Sequence, residues 1–272
     1  MKNEIFVSIL ICCFNSEKFI SKTIESIIKQ NYNNFEIIFI DDGSADNTKQ
    51  VINNILFEKK IKYQYFYQYN KGLASARNKG LTLANSDWIF ILDHDDIMTK
   101  QRLENQVKEI KNNPDCAILF GDIILNREIK TTKFNEFKKY FHIDLFSILN
   151  KDNIQVNLLK YGCFIGSSSV VFNKQKAINI NGFNKKFSYC VDYDFFIRIL
   201  KNNKFYVSKS IYSEWFENQY QISNKNFYKN NIEILKLYIE NVTIIKLSIL
   251  NPLILRNICI SLLKIISNSY KN

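Results

Sequence analysis

The segment Trp88-Ile89-Phe90-Ile91-Leu92-Asp93-His94-Asp95-Asp96 limits the fold of this chain more than any other. An unbroken apolar run without polar alternation reads as a strand buried on both faces, the kind found inside parallel sheets covered by helices. The carboxylates that end the run then lie where open α/β sheets hold their ligands, in the crevice beyond the carboxyl ends of the strands. Carboxylates so close repel one another unless a cation neutralises them. Hard divalent ions such as Mg2+ or Mn2+ take oxygen ligands and leave positions for substrate phosphates, so the segment points to a metal-assisted site. Aspartates at strand ends also make ordinary turns and helix caps, and the triplet alone leaves that alternative open.

Strands and helices alternate through the rest of the N-terminal half. Phe6 to Cys13 is an apolar strand, and Asn15-Ser16 offers a cap for a helix with Ile20, Ile24, Ile27 and Ile28 on one face. Phe35 to Ile40 is a second buried strand ending in Asp41-Asp42-Gly43-Ser44, and Asp46 can cap the helix carrying Val51, Ile52 and Ile55. Lys62 to Tyr69 reads as a third strand, Leu73 to Leu83 as a short helix, and Trp88 to Leu92 as the fourth strand. Lys100 to Lys111 is a helix before the strand Ala117 to Phe120. The alternation predicts an α/β fold with a mostly parallel central sheet flanked by helices and joined by right-handed crossovers. From Asn126 to Lys160 charges and aromatics scatter without a period, which predicts an irregular insertion shaping a substrate pocket. Order returns from Gly162 to Phe172, and a helix with Phe195, Phe196, Ile199 and Leu200 follows Asp192-Tyr193-Asp194. There is no internal repeat.

With 272 residues, 46% of them apolar, the chain has the material for one large domain or a domain with an appendage. Its formal charge of +11 implies an anionic partner: nucleic acid, a phosphorylated substrate or an acidic membrane leaflet. No recognised nucleic-acid-binding motif is present, so a nucleic-acid partner is not expected. Cys12, Cys13, Cys116, Cys163, Cys190 and Cys259 form no Cys-x-x-Cys pair, and no secretory signal opens the chain. They read as reduced thiols of a cytoplasmic protein.

The section from Val242 to Asn272 contains Lys246, Arg256, Lys264 and Lys271 but no acid, on an apolar background. Pro252, Arg256 and Lys264 interrupt it, so it fails as a spanning helix. On a helical wheel Thr243, Lys246, Asn257, Ser261 and Lys264 share one side, although Leu250 intrudes, and Pro252 is expected to break the helix. Two readings follow: a basic amphipathic segment lying in a membrane surface, or a helical pair packed on the main domain or on a second subunit.

Asp42, Asp93, Asp95 and Asp192 all fall at or just beyond predicted strand ends, hence potentially at one edge of one sheet. Here the chain resembles an inverting family 2 glycosyltransferase of the GT-A fold, the type that builds bacterial surface polysaccharides. The matching segments are VSILICCFNSEKFISKTIESIIKQNYNNFEIIFIDDGSADNT, NKGLASARNKGL from Asn70 to Leu81, WIFILDHDD from Trp88 to Asp96, and GFNKKFSYCVDYDFFIRIL from Gly182 to Leu200. They occur in the expected order over roughly the first 200 residues, and the ordered set is more specific than any member of it.

The resemblance implies a UDP-sugar donor, a divalent metal (Mn2+ or Mg2+) and transfer with inversion at the anomeric carbon. Carried over residue by residue, Asp42 hydrogen-bonds the uracil, and Cys12, Phe14, Asn15 and Glu17 line the nucleotide pocket. Arg77 sits by the nucleotide, or makes a structural salt bridge. Asp93 contacts ribose or the metal, Asp95 ligates the metal, and Asp96 is a weaker third candidate. His94 is oriented by its strand neighbours, since a hard ion prefers carboxylates. Asp192 matches the catalytic base that takes the proton of the acceptor hydroxyl, with Asp194 as understudy. The family commonly has Glu at the preceding position, where this chain has Val191. Many relatives also carry an Arg and a His that reach the diphosphate after the last strand, whereas this chain reads Tyr212-Ser213-Glu214-Trp215-Phe216-Glu217-Asn218. Lys225 or a residue of the insertion is a possible substitute. Gly162 to Ser169 resembles the acceptor-side segment, and Phe187 and Tyr189 are candidates to stack on an acceptor sugar.

The resemblance thus implies a hexose or N-acetylhexosamine moved to a hydroxyl of a growing capsule, O-antigen or lipooligosaccharide. It divides the chain into a catalytic domain over 1–222 and a basic, apolar helical extension over 223–272. The latter contacts an anionic membrane surface or a second copy, and the protein would be peripheral at the inner face of the bacterial inner membrane. Two other readings compete. A haloacid dehalogenase-type phosphatase would use Asp93 as nucleophile, but its motif belongs near the start of the domain, and here two strand–helix units come first. A non-catalytic basic binding protein would explain only the charge. A Rossmann dehydrogenase is disfavoured, since no Gly-x-Gly-x-x-Gly follows the first strand.

Overall fold

The computed structural model describes residues 4–126, 128–149, 154–216, 227–241 and 252–269. The first half is a run of β–α units: β1 (Val7–Cys13), α1 (Ile20–Ile28), β2 (Phe35–Asp41), α2 (Thr48–Glu58), β3 (Tyr63–Tyr67), α3 (Leu73–Leu83) and β4 (Trp88–Ile91). Then come β5 (Ile97–Met98), α4 (Arg102–Asn112), β6 (Cys116–Asn126) and β7 (Thr131–Thr132). Three short helices follow, α5 (Lys133–Phe141), α6 (Leu145–Leu149) and α7 (Ile154–Tyr161), before β8 (Val171–Asn173), α8 (Lys174–Asn179), α9 (Val191–Ile199) and β9 (Lys204–Phe216). The last described elements are α10 (Phe227–Glu240) and α11 (Pro252–Ser269).

One sheet runs in the order β3-β2-β1-β4-β8-β6-β9-β5, with β7 added to β6. β1 lies between β2 and β4, parallel to both, and Cys13 pairs with Asp41, so these strands end level at one edge. β3 continues the parallel set beside β2. β8 runs antiparallel between β4 and β6 and couples that set to the parallel pair β6–β9. The core has two layers because the strand interior is apolar on both faces. Val7, Ile9 and Ile11 pack under α1, α2 and α4, whereas Leu10, Ile38 and Ile91 face α3 and α9. The helix α3 lies close on β1 because position 80 is glycine: a Cβ there would collide with the Leu10 side chain.

Several expectations are corrected. The described part of the stretch 126–160 is not irregular: it forms β7 and the helices α5, α6 and α7, of 9, 5 and 8 residues, whose many charges and short lengths hide the helical period in sequence. Asn15-Ser16 does not cap α1, which begins at Ile20 behind Phe19 with no side-chain cap. Ser16 instead accepts from the Phe14 N–H and directs its own N–H to Thr48 Oγ1, tying two loops together. Pro252 is the first residue of α11, where proline lacks only an N–H that the first turn leaves unused, and the residues before it, 242–251, on which the expected break depends, lie outside the described residues. Lys246 and Leu250 lie outside the described residues.

The end of the chain is packed on the main body. Leu237 and Tyr238 of α10 and Ile254 of α11 are buried in the larger core cluster. Tyr238 donates to the Leu159 carbonyl and Asn257 to that of Lys160, both on α7. All six cysteines are free thiols. Among the described residues no helix is long and apolar enough to cross a membrane.

Candidate active site

The carboxyl edge of β1, β2 and β4 gathers the predicted residues. Cys12, the last but one residue of β1, lies within electrostatic reach of Arg77, Asp93 and Asp42. Burial pushes its thiol up to about 12; Arg77 opposes the rise, and Asp93 and Asp42 add to it. A thiol so raised is a neutral wall of the pocket, not a nucleophile. Phe14 is exposed at the rim. Asn15 holds a left-handed conformation (φ 52°), and its Oδ1 accepts from the Ala45 N–H at 2.9 Å. Glu17 accepts from the backbone and side chain of Asn47 at 3.0 and 3.1 Å. Both therefore fasten the β1–α1 loop to the β2–α2 loop.

Asp42 is buried and accepts from Gln68 Nε2 at 2.6 Å, and from the Lys71 and Gly72 N–H groups at 2.8 Å each. It closes the turn between β3 and α3 and holds a row of backbone donors at the sheet edge. Its neighbour Asp41 accepts from Tyr65 Oη and from the Ser44 N–H.

Arg77, in α3, is only 1% exposed and joins the two halves of the site. One guanidinium nitrogen pairs with Asp93 at 3.0 Å, another pairs with Asp192, and the Phe183 ring lies 5.4 Å from its Cζ. The next residue, Asn78, exchanges two hydrogen bonds of 2.7 Å with the backbone of Phe183. Gly182 permits that contact, because its φ is +63° and a Cβ would collide with Asn78 Oδ1. The segments around Arg77 and Asp192 are thus one structural unit, in which α3 carries the loop that leads to α9.

Asp93 also receives order from the far side: its N–H donates to Ser168 Oγ at 3.0 Å. Asp95 is half-buried beside it. Asp96 turns inward and is buried; burial raises its carboxyl well above the ordinary range, Asp93 and Asp95 add to this, and Ser168 and Arg102 oppose it. Arg102 is buried too, donating to the Ile91 and Val170 carbonyls, so Asp96 and Arg102 support the strand ends from beneath. The His94 carbonyl accepts from Thr23 Oγ1, which anchors the peptide between the carboxylates.

Asp192 lies in the first turn of α9 with its side chain 23% exposed. Asp194 is buried and bound to Arg198, which also donates to the Ile180 carbonyl, so Asp194 braces the helix and leaves Asp192 as the carboxylate at the opening. Phe187 is core, and Tyr189 is half-buried. Sequence reasoning missed Glu233 of α10. Its carboxylate accepts from the Ser188, Tyr189 and Cys190 N–H groups at 2.7 to 3.0 Å and fixes the peptide just before Asp192. No motif announces it; only the fold brings α10 there.

Asp93 and Asp95 offer hard oxygen donors at a strand end. Among the described residues no group of three or more His, Cys, Asp or Glu is arranged to hold a metal unaided. That donor set fits a Mg2+-like ion completed by diphosphate oxygens and water, not a closed structural site. Lys225 and the neighbouring residues 217–226 lie outside the described residues. Within β9, Tyr212 is buried and Glu214 accepts from Asn126 Nδ2.

Known proteins share this fold. S. aureus TarS in complex with UDP-GlcNAc superposes with a TM-score of 0.66 at 18% identity, over 86% of this chain and 66% of that one. A Pyrobaculum calidifontis mannosyltransferase in complex with GDP-Man and Mn2+ gives 0.65 at 13% identity, over 89% and 65%. The chain thus spans just under two thirds of the length of these structures, and the fold is that of the GT-A glycosyltransferases. A profile described as Glycosyl transferase family 2 matches residues 8–175. An uncharacterized glycosyltransferase of Methanocaldococcus jannaschii is 31% identical over 85% of this chain and 76% of its own. The Escherichia coli UDP-Glc:alpha-D-GlcNAc-diphosphoundecaprenol beta-1,3-glucosyltransferase WfgD is 30% identical over 86% and 84%. The chain belongs to glycosyl transferase family 2.

Proposed function

We propose that this enzyme moves a hexose or N-acetylhexosamine from a UDP-sugar to a hydroxyl of a glycolipid acceptor, with inversion and with a divalent metal. The observation that carries the reading is the pairing of Arg77 with both Asp93 and Asp192, which sets the carboxylate of a donor site beside the carboxylate of a base. The names of the relatives support the substrate classes: a UDP-glucose donor and a diphosphoundecaprenol-linked acceptor for the E. coli protein, and UDP-GlcNAc in the TarS complex.

In this reading the uracil meets the edge formed by Cys12, Phe14 and Asp42, and Asn15 and Glu17 keep the loops around it in register. Asp93 and Asp95 would hold the metal, which as a Lewis acid would neutralise the charge building on the leaving diphosphate. Asp192 accepts the proton of the acceptor hydroxyl while that oxygen bonds to C1, and the bond from C1 to the diphosphate breaks on the opposite face. Arg77 keeps the Asp192 carboxylate aimed, and Glu233 keeps its peptide in place. The helical extension over 223–272 would hold the protein at an anionic inner-membrane surface, where its glycolipid acceptor is presented. Its exposed Leu255, Leu262 and Leu263 form the apolar face such a surface, or a second copy, would cover.

Calorimetric titration with UDP, with and without Mn2+, tests the donor reading. Metal-strengthened binding followed by discrimination among UDP-sugars is expected. Absence of UDP binding under both conditions would reject UDP as the carrier.

A further inference from the structure

A second cleft of about 540 Å³ opens between α5 and the segment that follows α7. Its wall is aromatic: Phe137 lies 5.4 Å from Tyr161 and 5.8 Å from Phe164, and Phe141 lies 5.0 Å from Tyr161, centroid to centroid. Its rim is cationic, with Lys133 and Lys139 opposed by the single carboxylate Glu136. At the outer end Tyr140, 62% exposed, meets Arg256 of α11, whose guanidinium both hydrogen-bonds its hydroxyl and lies 5.5 Å from its ring centre.

Two residues of the cleft's lining interact with segments that carry the active site. Lys133 Nζ donates to the Ile165 carbonyl at 3.1 Å, and that segment continues to Ser168, which receives the Asp93 N–H. Cys163, which lines the cleft, is within electrostatic reach of Cys190 and Tyr193, the residues around Asp192. The cleft therefore runs from the α11 face toward the segment that leads to Ser168, with aromatic surface for a hydrocarbon and cations for an anion along it.

We infer that this cleft binds the carrier of the acceptor, an isoprenoid diphosphate, with Lys133 and Lys139 on the diphosphate and the aromatic wall on the first isoprene units. The inference rests on the glycolipid-acceptor reading and adds where and how the carrier is held. Charge complementarity favours this occupant over a neutral lipid, and the aromatic wall favours it over a free phosphate.

The test is calorimetric titration of the full chain, with the nucleotide site saturated by UDP, using farnesyl diphosphate, farnesol and inorganic pyrophosphate as probes. Farnesyl diphosphate is expected to bind at least about tenfold more tightly than either fragment, in keeping with a site that uses both ends of the ligand. Lys139→Glu and Tyr140→Ala, both at exposed positions, are expected to weaken it about tenfold while UDP affinity stays unchanged. If farnesyl diphosphate binds and neither variant alters it, the cleft assignment is overturned and the glycolipid reading stands. If UDP binds and farnesyl diphosphate does not, the inference is overturned while the donor reading stands. If pyrophosphate binds as tightly as farnesyl diphosphate, the cleft is an anion patch and the inference is rejected.

Discussion

Arg77 does two jobs that its position in sequence does not reveal. Its residue type and surroundings, NKGLASARNKGL, resemble a nucleotide-contacting segment, yet its guanidinium reaches Asp93 and Asp192 together. A planar fork can serve two carboxylates at fixed angles, and an ammonium cannot. Arg77→Lys is therefore expected to lower turnover about 100-fold, the cost of misplacing a reacting group by roughly an ångström. UDP affinity, read by calorimetry, should change far less. Asp192→Asn removes the proposed proton acceptor and should lower transfer about 100- to 10,000-fold with UDP binding intact; near-normal turnover would remove Asp192 from the mechanism. Glu36 makes a separate prediction at the opposite ends of the strands. Burial alone would raise its carboxyl, but hydrogen bonds from Ser8, Asn85 and Gln64 outweigh burial and hold it below its ordinary value of 4.5. A lowered folded value stabilises above the unfolded value, and that stability is lost as pH falls through the folded one. Chemical denaturation of Glu36→Gln across acid pH should accordingly give a flatter curve than wild type below about pH 4.5. At this scale Asp42, Asp93 and Asp95 were legible because apolar runs deliver them to strand ends, whereas Asp192, expected beyond a strand end, lies instead in the first turn of α9 after α8 and a loop. Asn78, Ser168 and Glu233 were not legible, because a polar residue's partner across the fold leaves no trace in local spacing.

Elements differ in how openly they declare themselves. β4 is a continuous apolar run and β1 and β2 are apolar but for Ser8, Glu36 and Asp41, and α1 and α4 carry clear apolar faces, so the parallel half of the sheet was readable with boundaries off by a residue or two. β8 has three residues and α6 has five, below the length at which a period can be counted, and their placement comes from packing on β4, β6 and α7. α10 shows how such packing reaches function. It covers the core with Leu237 and Tyr238 and presents Glu233 to the donors at the start of α9. A carboxylate there also sits favourably at the positive end of the helix. Glu233→Gln keeps the shape but leaves one acceptor oxygen for three N–H groups. It should cost roughly 2–3 kcal/mol of stability, the worth of a hydrogen bond to a charged group, measured as a shifted denaturation midpoint. Turnover should fall beyond what the unfolded fraction explains, because the peptide carrying Asp192 loosens. A stable variant with full turnover would reduce Glu233 to packing.

For the molecule as a whole, the proposed membrane location rests on the charge of +11 and on the uncovered face of α11. Ile254, Asn257 and Ser261 turn toward α7 and α10, while Leu255, Leu262 and Leu263 are 50%, 44% and 65% exposed. Composition alone left two readings of this segment, and packing on α7 satisfies one without excluding the other, since a helix has two sides. Three half-exposed leucines contribute on the order of 1 kcal/mol each when removed from water, and each basic side chain near an anionic leaflet adds about 1 kcal/mol at low salt. Neither contribution alone holds a protein on a membrane; together they do so weakly and reversibly. Replacing all three leucines by serine should thus leave thermal stability nearly unchanged, because that face is exposed, yet abolish co-sedimentation with phosphatidylglycerol-containing vesicles. Wild-type binding should weaken with salt as screening removes the basic contribution. If instead the wild type sediments as a dimer, ignores vesicles and becomes monomeric on the triple replacement, the leucine face is a contact between copies, and the glycolipid must reach the active site without this helix lying on the membrane.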